Sequence, residues 1–121
     1  MNKPMLILIA GPYRSGTDDD PEKLASNLAF LESVAWPIFE AGHIPMIGEW
    51  VGLPVMRCIN SVVGDPASIG ILTPVAERLL QHCDAVLRLP GASTGADNDV
   101  RIAHERGIPV YASVNEIPRR S

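Results

Sequence analysis

The chain has 121 residues, 46% of them hydrophobic, so we expect one domain, residues 1–121, with a single apolar core. Fourteen acidic residues outnumber ten basic ones, and the formal charge of −4 argues against nucleic acid or an anionic membrane as a partner. No apolar run is long enough for a membrane span or a signal peptide. Cys58 and Cys83 have neither disulfide-framework nor metal-site spacing, so we expect two packed, reduced thiols in a cytoplasmic protein.

The first third of the chain predicts a buried strand followed by a helix. Met5–Ala10 is a continuous apolar run, which is typical of a parallel strand covered on both faces. Asp20 and Pro21 then provide an N-cap and a first-turn proline for a helix. We expect Pro37 to kink this helix or to separate its last turn, and Gly42 to end it.

The middle of the chain is less clearly patterned. His43–Gly48 predicts a second strand, and its internal proline favours a sheet edge. Residues 49–72 are only loosely assigned, with a helix possible over Pro54–Val63. Thr73–Pro74 again pairs a cap with a first-turn proline and predicts the start of a further helix.

The last third predicts a strand, a helix and another strand. Ala85–Leu89 is the third strand. Thr94 lies three residues before Asp97 in a pattern like a capping box, and Gly107 provides the C-terminal stop. Ile108–Ala112 is the fourth strand.

Strands that alternate with helices over short loops predict an α/β fold. We expect three layers around a doubly wound, mainly parallel sheet of four to five strands, of the Rossmann or flavodoxin type. In such sheets, ligands bind beyond the carboxyl ends of the strands, where the strand order reverses. The Gly11–Thr17 and Pro90–Asp97 loops both follow strands, so we expect them to face one crevice.

The two loops carry glycines, hydroxyls and one cation. Glycines let the backbone approach a ligand closely, and the free N–H groups at a helix start favour an anionic or strongly polar group, so a phosphate or a sugar would suit this lining. The alternative is that these residues serve only the turns and the cap. The substrate-binding candidates are Gly11, Arg14, Ser15, Gly16, Gly91, Ser93, Thr94 and Gly95.

Asp99 is the first candidate catalytic residue. Helical spacing places it on the stripe of Ile102 and Ala103, facing the crevice, whereas Asp97 should point to solvent near Arg101. We expect Asp99 to lie in the first helical turn, where the helix dipole would keep it ionised and suit it to a nucleophilic or cation-stabilising role rather than to general-acid catalysis. The alternative is an acidic residue that only stabilises the helix start.

Tyr13 is the second candidate, because its hydroxyl could reach the crevice and bond a carboxylate or the substrate. Alternatively, it wedges between loop and helix. The three histidines, His43, His82 and His104, are interpreted as structural or exposed. No metal-binding pattern, P-loop or full dinucleotide fingerprint is present, so we expect no metal and no cofactor.

Several segments together resemble the nucleoside 2-deoxyribosyltransferase-like superfamily, and most of all its branch of small proteins. They are Ile9–Tyr13, Cys83–Leu87, Ser93–Asp99, Ala103 and Gly107–Val110. The resemblance implies carboxylate-assisted cleavage or transfer of the N-glycosidic bond of a deoxyribonucleoside or its 5′-monophosphate. It places Asp99 where the family has a catalytic glutamate, with Tyr13 orienting that carboxylate or the sugar.

The sequence departs from the family pattern at two places. Asp99 is one methylene shorter than the family's glutamate. Eight residues before Asp84, where the family tends to carry a second acid, stands Ala76, and an ideal helix would turn the adjacent Glu77 about 100° away. The resemblance also implies a homo-oligomer, for which we expect the interface in Trp50–Val63.

Other functions stay open. The alanine at position 76 favours a non-catalytic module that binds a nucleotide or a nucleotide sugar. A phosphoribohydrolase acting on ribonucleoside monophosphates is a further candidate, because Pro90–Gly91 is similar to the start of the glycine-rich turn in enzymes of that kind. A structural or partner-binding protein is the remaining alternative.

Overall fold

The computed structural model describes residues 3–120. Within them, four parallel strands form one sheet in the order β2-β1-β3-β4, with helices on both faces, which confirms the predicted α/β fold. The strands are β1 (Leu6–Ala10), β2 (Ile44–Met46), β3 (Ala85–Arg88) and β4 (Val110–Tyr111). The helices are α1 (Pro21–Glu32), α2 (Ala35–Glu40), α3 (Gly48–Cys58), α4 (Pro66–Leu80) and α5 (Thr94–Arg106), with a short 3-10 turn at Val114–Glu116.

The central strand β1 divides the core into two halves. Its side chains alternate between the two faces of the sheet, as in any strand. Ile7 and Ile9 pack with residues of α1 and α2, whereas Leu8 and Ala10 pack with residues of α4 and α5. Because both faces are covered, β1 needs apolar side chains at every position, which explains its unbroken apolar run.

The first helical region follows the sequence signals. The Asp20 carboxylate caps α1 by accepting the N–H of Lys23 at 3.0 Å. The helix then breaks at Ser33 and Val34, and Pro37 lies in the separate short helix α2, as the proline predicted.

The second strand lies at the sheet edge, as predicted. His43, buried beside it, accepts the N–H of Met5 at Nδ1 (3.0 Å), and its Nε2 hydrogen-bonds the carbonyl of Pro118 at 2.6 Å. The structural interpretation of His43 is therefore confirmed, and His82 and His104 are exposed.

The expectations for residues 49–72 were wrong in detail. The helix expected over Pro54–Val63 is α3, which begins earlier, at Gly48. The helix expected to begin at Thr73–Pro74 begins at Pro66, because Asp65 already provides the cap by accepting the N–H of Ser68 at 3.0 Å. The same cap-plus-proline signal occurs twice, and packing of α4 against α3 keeps the helix continuous through the second one.

The two cysteines differ in environment, and both are free thiols. Cys83 is buried as expected, and burial raises its pKa to about 11. Cys58 is exposed, so its assignment to the core was wrong, because it lies at the exposed end of α3. Of the helices described in residues 3–120, none is long and apolar enough to span a membrane.

Strand order reverses between β1 and β3. From β1 the chain crosses to β2 on one side, and it later returns to β3 and β4 on the other. The connections that leave the carboxyl ends of β1 and β3 therefore diverge and leave a crevice between them.

Candidate functional site

A cavity of about 750 Å³ opens at this reversal point. Its walls are the end of β1 with the loop that follows, the first turn of α3, one face of α4, and the start of α5. Three carboxyl groups line it, from Glu49, Glu77 and Asp99. The position agrees with the crevice predicted from the strand order.

Eight of the ten predicted site residues line the cavity. They are Gly11, Tyr13, Arg14, Ser15, Ser93, Thr94, Gly95 and Asp99. The structure places Gly16 and Gly91 outside this lining, where both have positive φ angles, of 74° and 117°, and shape the loops instead.

The start of α5 is built from a serine cap and a close contact between two loops. The cap is Ser93, whose Oγ accepts the N–H of Ala96 at 3.1 Å. The predicted cap, Thr94, is the first helical residue, so that assignment was wrong by one position. A Cβ atom added to Gly91 would lie 2.6 Å from Cγ of Pro12, so this glycine lets the two cavity loops meet.

The single cation among the predicted site residues is already paired. Arg14 Nε donates to Asp19 Oδ1 at 2.6 Å, and its Nη2 donates to Oδ2 at 3.0 Å. This guanidinium lowers the pKa of the Asp19 carboxyl through the hydrogen bond and its charge. Arg14 is exposed at the cavity margin, so its positive charge is partly compensated before any ligand arrives.

Asp99 faces the cavity, but its ionisation differs from the expectation. Burial raises its pKa to about 7, and the negative charges of Glu49 and Glu77 act in the same direction, against the opposing charge of Arg88. Helix α5 begins at Thr94, so Asp99 lies in the second turn, where the helix dipole has weakened. The expectation of a fully ionised Asp99 was therefore wrong, since both protonation states are populated near neutral pH.

Asp97 is the acidic residue in the first turn of α5. It points to solvent as predicted, with 73% of its side chain exposed, but its partner is Arg88 rather than Arg101. Arg88 Nη2 donates to Asp97 Oδ1 at 2.9 Å and to the carbonyl of Gly91 at 3.1 Å. Arg88 thus links the glycine turn, the turn at Gly91, to the start of α5. Arg101 instead pairs with Asn98 and Glu105 along the helix.

Glu49 is the functional candidate that the sequence reasoning missed. It lies in the first turn of α3 and lines the cavity. Burial raises its pKa, and a hydrogen bond from its own backbone N–H opposes that rise. The position directly after a strand was a usable signal, because β2 ends at Met46 and its carboxyl end reaches the same sheet edge as those of β1 and β3.

The neighbours of Glu49 fix its place. The next residue, Trp50, donates its indole N–H to Glu32 Oε2 at 2.8 Å, which links the first turn of α3 to α1. On the cavity side, the Glu49 charge adds to burial, the larger cause, in raising the pKa of Tyr13. The carboxyl group that acts on Tyr13 is therefore that of Glu49 rather than that of Asp99.

Glu77 also lines the cavity, contrary to the expectation that it would point away. Helix α4 crosses the cavity with Thr73, Ala76 and Glu77 on the bordering face, so two adjacent residues both reach its edge. Glu77 is exposed, whereas Glu49 and Asp99 are mostly buried. Besides Asp99, the cavity therefore has one carboxyl group from α3 and one from α4, while position 76 is an alanine.

This arrangement is suited to proton transfer and to the stabilisation of positive charge. The charge of Glu49 raises the pKa of Asp99, so ionisation of the one carboxyl group favours the protonated form of the other. Across residues 3–120, no group of three His, Cys, Asp or Glu side chains could hold a metal ion. In comparisons with known proteins, no protein-family model matches the chain, and no significant match was found among curated proteins.

Proposed function

We propose that this protein cleaves or transfers the N-glycosidic bond of a deoxyribonucleoside or of its 5′-monophosphate. The observation that carries the proposal is that Asp99, with a pKa of about 7, and Glu49 line the same cavity, where the Glu49 charge helps to raise the pKa of Asp99. Breaking a glycosidic bond requires a proton for the leaving group and a carboxylate that stabilises the positive charge at the anomeric carbon. Asp99, which is partly protonated near neutral pH, and a second carboxyl group that lines the same cavity meet both needs.

The size and lining of the cavity support a nucleoside-sized ligand. Its volume of about 750 Å³ is within the usual range for small-molecule sites. Ser93 and Thr94 offer hydroxyls at the start of α5, where backbone N–H groups suit sugar oxygens or a phosphate. Arg14 at the margin would contact a 5′-phosphate.

Tyr13 is the second catalytic candidate in this proposal. Its raised pKa keeps the phenol neutral, so its hydroxyl can donate a hydrogen bond to a carboxylate or to a sugar oxygen. We assign it an orienting role.

The test is release of free base, measured by chromatography, from deoxyribonucleosides and their 5′-monophosphates, with and without an added acceptor base. We expect release by the wild type and a loss of about 10³-fold or more for Asp99→Asn, because general-acid and electrostatic effects each reach that size. Glu105→Gln is the matched control, since that exposed carboxyl is on the same helix and pairs with Arg101 rather than lining the cavity, and it should keep most of the rate. The absence of release from every substrate would contradict the proposal.

A non-catalytic binding module is the second candidate, and Ala76 in place of an acid favours it. It predicts that nucleotides or nucleotide sugars raise the midpoint of thermal unfolding without any base release. Ribonucleoside monophosphates belong in the same panel, because a preference for the 2′-hydroxyl would select a phosphoribohydrolase.

We also propose that the chain self-associates through Trp50–Val63. This segment exposes Val55, Ile59 and Val62, with 43%, 59% and 67% of their surfaces accessible. Apolar side chains grouped in this way favour an interface. Light scattering should give more than one chain per particle, and Ile59→Lys should lower that mass.

A further inference from the structure

We propose that Glu49 and Asp99 divide the reaction, with Asp99 giving its proton to the leaving base and the Glu49 carboxylate stabilising the anomeric carbon. This inference rests on the proposed function. It assigns to Asp99 the opposite role from the one expected of an ionised residue at a helix start, and it gives a role to Glu49, which was not among the residues predicted from the sequence.

The positions of the two groups on their helices favour this division. Glu49 lies in the first turn of α3, where the helix dipole and its own backbone N–H both stabilise a carboxylate. Asp99 lies in the second turn of α5, where the helix dipole is weaker, and a bond from its own backbone N–H is not among the causes of its pKa shift. Of the two, Glu49 is therefore better placed to be charged, and Asp99 to hold the proton.

Other charged groups act on the pair. From the loop after β1, Tyr13 is a neutral donor whose pKa is raised by burial and by the Glu49 charge. From α4, Glu77 opposes ionisation of Asp99, and from β3, Arg88 favours it.

Both arginines near the cavity already have partners. Arg88 is bonded to Asp97 and to the carbonyl of Gly91, and Arg14 at the cavity margin is paired with Asp19. Burial and the charges of the two glutamates therefore outweigh the charge of Arg88, and the pKa of Asp99 is raised.

The chemical step balances with water as the only co-reactant. The bond between the anomeric carbon and the base breaks, its electron pair goes to the base, and the Asp99 proton goes to a ring nitrogen. Glu49 stabilises the resulting cation through its charge or through a transient ester. Water then attacks the anomeric carbon and gives a proton to the Asp99 carboxylate, which restores both groups.

The experiment compares two substrates that differ in their need for an acid. The base of 2′-deoxyguanosine must be protonated as it leaves, whereas 7-methyl-2′-deoxyguanosine already carries the positive charge and needs no acid. Base release is measured for both, with the rate without enzyme subtracted. We expect Asp99→Asn to lose about 10³-fold on the first substrate and less than about 10-fold on the second. Glu49→Gln should lose about 10²-fold or more on both.

Each other outcome contradicts a distinct part of the proposal. If Glu49→Gln spares the methylated substrate and Asp99→Asn does not, the two roles are exchanged. If Glu49→Gln leaves both rates unchanged, Glu49 has no part in the reaction. If the wild type releases base from neither substrate, the proposed function itself fails, which is a separate result.

Glu77→Gln is the matched comparison within the same cavity, because it removes the third carboxyl, the exposed one. Because the Glu77 charge helps to raise the pKa of Asp99, Glu77→Gln should slow release from 2′-deoxyguanosine by less than about 10-fold, far below the loss expected for Asp99→Asn. A loss on that substrate as large as that of Asp99→Asn would transfer the acid role to Glu77. Circular dichroism and thermal unfolding check that each variant folds. Both Glu→Gln changes keep the side-chain size, and Asp99→Asn does the same.

Discussion

Two walls of the cavity have different origins. The α5 wall, residues 89–99, is built from local signals: a glycine turn, a serine cap and a helix start. The α3–α4 wall, residues 48–77, is held mainly by contacts between α3 and α4 and by the bond from Trp50 to Glu32. Both walls contribute carboxyl groups, but of the two, sequence analysis identified only the α5 wall as part of the site.

The largest expected effect concerns the protonation of Asp99. Its folded pKa of about 7 lies above the usual value of 3.8, so the folded state binds more protons than the unfolded state as soon as the pH rises past about 4. The free energy of unfolding should therefore fall between about pH 4 and pH 7, by at most about 1.4 kcal/mol per pH unit from this group. Urea unfolding across this range should show a flatter profile for Asp99→Asn, and an unchanged slope would mean that the carboxyl is solvated.

A second effect tests the contact between the two loops. Gly91→Val should lower the free energy of unfolding by roughly 2–3 kcal/mol, because its φ of 117° and its closeness to Pro12 both disfavour a side chain. Gly95→Ala is the control: a Cβ there would meet open space, and the residue is helical, so stability should hold or rise slightly. Equal losses for the two variants would contradict the close approach of the loops.

The smallest expected effects concern the N-terminal caps of α5 and α4, one in each wall. Ser93→Ala at α5 should lower the free energy of unfolding by about 1 kcal/mol, and the midpoint of thermal unfolding with it. Asp65→Ala at α4 should lower the midpoint of thermal unfolding further, because this carboxylate accepts the N–H groups of Val62 and Ser68 and the hydroxyl of Ser61. These bonds lower the Asp65 pKa, so its contribution, present above the usual pKa, should disappear as the pH falls through the folded pKa. A larger loss for Ser93→Ala would contradict this order.

Prediction from sequence was accurate where a signal involves neighbours along the chain. The unbroken apolar run of β1, the Asp20 cap and the break near Pro37 all belong to this class. The start of α4 was misplaced because Asp65–Pro66 and Thr73–Pro74 carry the same local signal, and the choice between them depends on packing against α3.

The site was predicted in part for the same reason. Periodicity placed Asp99 in the cavity, but its protonation follows from burial and from charges on other elements, which no local pattern encodes. Glu49 lies 50 positions from Asp99 along the chain, and only the parallel pairing of β2 with β1 brings its helix to the same edge.

The sequence alone therefore determined the class of fold, the order of strands and helices, and the polar turn before α5. Each of these depends on side-chain spacing or on backbone preferences within a few residues. Tertiary structure decided which carboxyl groups share the cavity and how strongly they hold a proton. Electrostatic energies depend on distance and desolvation in space, and both are fixed only when α3, α4 and α5 pack around the end of β1.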